Sequence, residues 1–181
     1  IALFIMWIYM TPVVTKYAFQ STDTASSAYN NGADWVGVMF AVYNGVAALA
    51  AFLLPPLARR IGLRNTHTLA LLAGALGFAL ILLLRDPVLL LLPMLLVGVA
   101  WASILTMPYA ILASVLPQAK FGTYMGVFNI FIVLPQLMVS ALMGSVMKLF
   151  FPGEPLWTML VAALVLALAA AAMLRVAEPK A

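Results

Sequence analysis

Three polar side chains recur on one face of a long apolar segment. Asn129, Gln136 and Ser140 are spaced by seven and then four residues, which places them on the same side of an α-helix. Asn and Gln each offer a hydrogen-bond donor and an acceptor, a combination that suits a neutral, hydroxyl-rich ligand better than an ion or a lipid. The same side chains are also suited to bonds between neighbouring helices, and both interpretations stay open.

Aromatic and hydroxyl side chains form a second group of candidates. Trp101, Thr106 and Tyr109 share one apolar run, and Tyr43 precedes Asn44 in another. Aromatic rings can stack on the ring of a hydroxyl-rich ligand, and the amide and hydroxyl groups can bond to it. The alternative is ordinary core packing or anchoring at an interface. All five residues are candidate ligand contacts.

Prolines and one lysine complete the candidate set. Pro108 and Pro135 lie inside apolar runs, where a proline removes a backbone hydrogen bond and bends a helix, so we expect hinges there. Lys16 ends the first run. Its ammonium group either reaches outward to lipid headgroups or points inward to a ligand oxygen or a carboxylate.

The composition identifies the class of protein that holds these residues. Of 181 residues, 66% are hydrophobic and 8% are charged, whereas soluble proteins carry about 25% charged residues. The chain is therefore predicted to lie in a lipid bilayer, and a nucleic-acid partner is not expected. With no cysteine, a single histidine (His67) and no deep carboxylate pair, the sequence predicts neither an enzyme nor a metal site.

Charged residues divide the chain into six apolar runs. About 20 residues cross a hydrocarbon core of ~30 Å, and five runs supply that length, whereas the first run, which opens at Ile1, is short. We therefore expect the chain to be a fragment. Small residues four apart, such as Gly98 with Ala102 and Gly122 with Gly126, are typical of close helix contacts. The predicted transmembrane helices cover approximately residues 1–18, 35–58, 66–84, 88–116, 122–148 and 156–174.

Basic residues favour one side of these helices, which the positive-inside rule makes cytoplasmic. Both ends of the six-span unit then face the cytoplasm from an inner (plasma) membrane. The polar segment 20–32 becomes the longest external loop. The basic residues on the predicted cytoplasmic side are Arg59, Arg60, Arg64, Lys120, Arg175 and Lys180.

A weak internal repeat relates two of the runs. GVMFAVYN at 37–44 matches GTYMGVFN at 122–129 in its Gly, Val and Asn positions. Asn44 and Asn129 each lie near the middle of a predicted helix, and the two helices enter the membrane from opposite sides. This pattern predicts a three-plus-three inverted repeat, which many secondary transporters use.

Longer motifs resemble a known family. WASILTMPYAIL at 101–112, GTYMGVFNIFIVLPQ at 122–136 and MWIYMTP at 6–12 resemble the carboxyl-terminal half of sucrose and maltose proton symporters. These carriers belong to the major facilitator superfamily, near its glycoside-pentoside-hexuronide branch. The resemblance implies an all-α integral membrane fold in which residues 1–181 are helices seven to twelve of twelve.

The resemblance also implies a mechanism and partners. Two six-helix halves would alternate access to a sugar, with a proton gradient as the driving force and no bound cofactor. The amino-terminal half, which is absent from this chain, would supply the proton-coupling acid. LARRIGLR at 57–64 is similar to the superfamily's basic gating loop, and the resemblance implies a gating role for Arg59 and Arg60. The acidic residue and the glycine that usually begin that loop are missing here.

Two alternatives remain open at this point. The chain could belong to a major facilitator carrier of another small solute. It could also be a non-transporting six-span membrane subunit, which would leave the two midplane asparagines and the proline-rich run without a role.

Overall fold

A computed structural model of the chain describes residues 1–117 and 120–177. This part of the chain consists of α-helices joined by short turns and contains no strand, which confirms the predicted all-α class. Lys180, one of the basic residues used above to orient the chain, lies outside the described residues. The helices are α1 (Ala2–Tyr17), α2 (Ser27–Ile61), α3 (Leu63–Ile81), α4 (Leu91–Val115), α5 (Phe121–Phe150) and α6 (Trp157–Met173).

Three of the described helices, α2, α4 and α5, are long and apolar enough to cross a bilayer. They confirm an integral membrane protein. Helices α1 and α6 are apolar but shorter, and α3 begins with a polar turn that contains Arg64, Asn65 and His67. Six helices are therefore observed, whereas six membrane crossings and the inverted repeat stay predictions.

Helix α2 is longer than the predicted span 35–58 at both ends. It begins at Ser27 because the Ser26 side chain accepts a hydrogen bond of 3.1 Å from the backbone amide of Tyr29, which caps the helix. The loop expected at 20–32 is correspondingly shorter. At the other end, α2 continues through Pro55 and Pro56 to Ile61. The helix therefore extends beyond the predicted span, whose own bounds stay a prediction.

Five helices pack into one bundle around α3 and α4. Helix α3 packs against α4 and α6, α2 packs against α4, and α1 packs against α2 and α6. Gly98 makes a very close approach, because a Cβ atom there would lie 2.6 Å from the carbonyl oxygen of Tyr43 and 2.8 Å from Cβ of Val46. This contact confirms the expected packing role of Gly98. Fully buried residues of the core include Met6, Met10, Met39, Phe78, Met94 and Met159.

Helix α5 differs from the other five. Its only buried residues are Met143 and Met147, near its carboxyl-terminal end, where it meets α1. Gly122 and Gly126 have open space around them among the described residues, so the close contact expected at this pair is not observed within the bundle. Most of α5 therefore presents an apolar surface that the other described helices do not cover.

Candidate functional site

Aromatic side chains from α1, α2 and α4 meet inside the bundle. The Trp7 indole N–H donates a hydrogen bond of 3.0 Å to the Tyr43 hydroxyl, and the rings of Trp7 and Trp101 meet edge to face at 5.5 Å. Trp7 lies ten residues before the end of α1 and Trp101 ten residues after the start of α4, a distance of about 15 Å along each helix at the α-helical rise. Tyr43 is 4% exposed and Trp7 38% exposed, so the cluster reaches the surface through Trp7.

A second polar contact joins α4 to α5. The Tyr109 hydroxyl donates to Oδ1 of Asn129 at 2.9 Å, and the Tyr109 and Phe128 rings pack edge to face at 5.2 Å. Because Asn129 is exposed and Tyr109 is half-buried, the pair lies on the uncovered side of the bundle. The structure therefore brings two of the predicted ligand contacts together.

The remaining residues of the polar face extend from this pair along α5. Gln136 is half-buried and Ser140 is exposed. Pro135 lies inside α5 and Pro108 lies inside α4, one residue before Tyr109. Both helices continue through their prolines, so the expected hinge positions fall inside continuous helices next to the polar residues.

Asn44 and Thr106 are not joined to that pair. The Asn44 amide donates to the carbonyl of Phe40 at 2.8 Å, and the Thr106 hydroxyl donates to the carbonyl of Ala102 at 2.8 Å. Each bond satisfies a side chain within its own helix while the side chain stays exposed. Their oxygen atoms still have acceptor capacity.

Lys16, near the end of α1, has a carboxylate partner in the segment between α5 and α6. Its ammonium group lies 2.9 Å from Oε1 of Glu154 and donates to the carbonyl oxygen of Gly153 at 2.5 Å. The Tyr17 hydroxyl donates to the other oxygen of Glu154. The Tyr17 hydroxyl and then the Lys16 ammonium lower the pKa of the Glu154 carboxyl below its usual value of 4.5. This cluster ties the end of α1 to the segment between α5 and α6.

Helices α3 and α4 hold a buried polar pair that the sequence did not predict. Nδ1 of His67 on α3 and Oγ of Ser103 on α4 lie 2.8 Å apart and share a hydrogen bond, with the residues 5% and 0% exposed. Arg59 and Arg60 lie nearby in sequence, exposed in the last turn of α2. The described residues contain no group of three metal-ligating side chains.

Sequence reasoning missed Trp7 and Ser103 as partners. Trp7 lay within the 6–12 motif, but nothing in its spacing indicated that its N–H reaches Tyr43. His67 was the only histidine, and a lone buried imidazole needs a hydrogen-bond partner, so a search for hydroxyls on neighbouring helices would have found Ser103.

Comparisons with known proteins give one match. The family model described as Major Facilitator Superfamily matches residues 1–181. No curated protein matches the chain, and no solved structure matches it. Apolar helices, polar side chains at membrane depth and the match over the full chain agree, and the chain belongs to the major facilitator superfamily of membrane transporters.

Proposed function

We propose that this chain is the carboxyl-terminal six-helix half of a proton-coupled carrier for a sucrose- or maltose-like glycoside. The observation that carries the proposal is the Tyr109–Asn129 hydrogen bond on the uncovered side of α4 and α5. A polar pair at this depth is costly in lipid, and in a transporter such residues face the solute pathway.

The chemistry of the pair suits hydroxyl groups. Asn129 accepts from Tyr109 through Oδ1, which leaves its amide N–H groups free to donate and the Tyr109 oxygen free to accept. Gln136, seven residues further along α5, lies about 10 Å away along the helix axis. Together the two positions offer donors and acceptors over a length that favours a ligand of two sugar rings over a single ring.

The uncovered apolar surface supports a second six-helix half as the partner. Helix α5 is attached to the bundle mainly near its outer end, and side chains such as Ile130, Phe131 and Leu137 are 60% exposed or more. A second half packed against this side would complete a solute pathway lined by Asn129 and Gln136. Access to the solute pathway would then alternate between the two sides of the membrane as the halves rock. Both ends of this unit would lie on the cytoplasmic side of a plasma membrane.

Proton coupling requires an acid that can change its charge during the cycle. The carboxylate of Glu154 is held by Tyr17 and Lys16 at the outer surface, far from Asn129. We therefore assign the coupling acid to the partner half. This assignment leaves α4 and α5 with the task of binding the neutral solute.

The test is uptake by the complete protein. The coding sequence upstream of Ile1 is read, and the complete frame is assayed in proteoliposomes for labelled sucrose and maltose under an imposed pH gradient. Gradient-dependent uptake is expected. If the protein takes up only another solute, the proposed sugar cargo is refuted. If it takes up no solute at all, the interpretation as a non-transporting subunit is favoured.

A matched pair of substitutions tests the binding face. Gln136→Leu removes the amide but keeps an apolar side chain for insertion, so sugar affinity should fall at least about tenfold, as the loss of roughly 1.5 kcal/mol of hydrogen bonding requires. Met138→Leu, two residues away and exposed, is the control and should keep its affinity. Unchanged affinity in Gln136→Leu would count against this face.

A further inference from the structure

Two adjoining cavities open at the outer end of the bundle. One has a volume of about 290 Å³ and the other about 250 Å³. Pro12, Gly153 and Pro155 line both. Lys16 lines only the larger cavity and Glu154 only the smaller one, so the Lys16–Glu154 ion pair stands at the partition between them.

The larger cavity combines an apolar wall with a few hydroxyl groups. Thr22, Thr24 and Tyr29 contribute side-chain hydroxyls to the lining that includes Lys16, whereas the Thr15 hydroxyl donates to the Thr11 carbonyl of its own helix at 3.0 Å. Lys16 has three N–H donors, of which one reaches the Gly153 carbonyl and one reaches Glu154. The ammonium also lies 5.1 Å from the centroid of the Tyr17 ring, so the side-chain groups left for a ligand are the hydroxyls of Thr22, Thr24 and Tyr29.

We propose that this larger cavity, hereafter the outer site, binds a small neutral compound with several hydroxyl groups. Its volume lies near the lower limit of ligand pockets, about 300 Å³, which fits a single sugar ring. The charge of Lys16 is already balanced by Glu154 at 2.9 Å, and the other polar side chains of the lining carry only hydroxyls, so the lining favours a neutral solute over an anion.

The outer site is separate from the face proposed to carry the transported solute. It is formed by the end of α1, the start of α2 and the segment between α5 and α6, whereas Asn129 and Gln136 lie deeper on α5. It would hold a solute at the outer surface before that solute enters any pathway. The choice of ligand rests on the lining of this cavity and does not require the central face to bind sugar.

The absence of cysteine from the sequence makes a direct test possible. Thr24→Cys places a single thiol in the outer site, and Val88→Cys places one on the outer segment between α3 and α4, away from both cavities. Each variant of residues 1–181 in lipid nanodiscs is labelled with a charged, membrane-impermeant maleimide. Glucose is the neutral probe, and glucuronate is its anionic counterpart.

Glucose should slow labelling of Thr24→Cys by about tenfold when its concentration reaches about ten times Kd, and labelling of Val88→Cys should not change. Adding Tyr29→Phe to Thr24→Cys should weaken the protection, because it removes one hydroxyl and keeps the ring. The proposal is overturned if glucose gives no protection, if both thiols are protected equally, or if Thr24→Cys does not react at all.

Two further results would also overturn the assignment. Stronger protection by glucuronate than by glucose would refute a neutral ligand, and full protection in the Tyr29→Phe chain would refute the proposed lining. Because the readout is labelling of the isolated chain, it is independent of uptake by the complete protein. Failure of the outer site and failure of the proposed transport function are therefore distinguishable.

Discussion

Gly98→Ala tests the contact that holds α2 against α4. The new Cβ atom would lie 2.6 Å from the Tyr43 carbonyl oxygen and 2.8 Å from Cβ of Val46, roughly 1 Å inside a comfortable van der Waals separation of ~3.5 Å. Neither neighbour is the flexible end of a side chain, so the helices must separate. Strain of about 2–3 kcal/mol, offset by about 0.5–1 kcal/mol of helix propensity, should lower the free energy of unfolding by about 1–2.5 kcal/mol.

Gly126→Ala is the matched control, because a Cβ atom at Gly126 meets nothing within 4 Å among the described residues. This variant should gain about 0.5–1 kcal/mol from helix propensity alone. Both variants are unfolded with sodium dodecyl sulfate from mild-detergent micelles, and helicity is followed by circular dichroism. The reasoning is refuted if Gly98→Ala is as stable as the parent chain, or if the two variants shift stability in the same direction.

Two further predictions concern the polar contacts at opposite ends of the bundle. Because contacts with Tyr17 and Lys16 lower the pKa of Glu154 in the folded chain, the stability that they add is present above pH 4.5 and is lost as the pH falls through the lowered pKa. Thermal unfolding of the parent chain across this pH range should show the loss of stability. If Glu154→Gln loses stability over the same range, the assignment to Glu154 is contradicted. At the other end, Ser103→Ala leaves the buried ring of His67 without its partner and should cost about 1–3 kcal/mol of stability. A double-mutant cycle with His67→Leu should give a coupling energy of about 0.5–1.5 kcal/mol. A coupling energy of zero would show that the hydrogen bond contributes nothing to stability.

Much of the fold could be predicted from hydrophobic runs and charge positions, since these determine where helices lie. The boundaries of α2 could not, because they depend on local bonding that hydropathy does not report. Ser26 caps the helix ahead of the polar residues assigned to a loop, and the helix continues past Pro55 and Pro56 into a charged last turn. The expected span 35–58 followed apolar composition, whereas the helix follows backbone hydrogen bonds.

The candidate site could be predicted only as a list of residues. Sequence spacing gives the depth of a residue along its own helix, but it does not give the rotation of one helix relative to another. Asn44 and Asn129 look equivalent in the repeat, yet Asn44 bonds to its own helix and Asn129 accepts from Tyr109. The partners of Trp7 and Ser103 on other helices depend on the same rotation. For this reason the sequence did not predict their contacts.

Gly62 is the whole connection between α2 and α3, and its φ of 89° and ψ of 157° fall in a region that essentially only glycine adopts. Its amide bonds to the carbonyl of Ala58, and its carbonyl accepts from the amide and the hydroxyl of Thr66. The connection is therefore rigid, and α2 and α3 move together. Any tilt of α2 during a transport cycle would move α3, and with it α4 and α6, which pack against α3. Helix α1 packs against both α2 and α6, so these five helices would turn as one rigid block while α5 remains free to follow a different path.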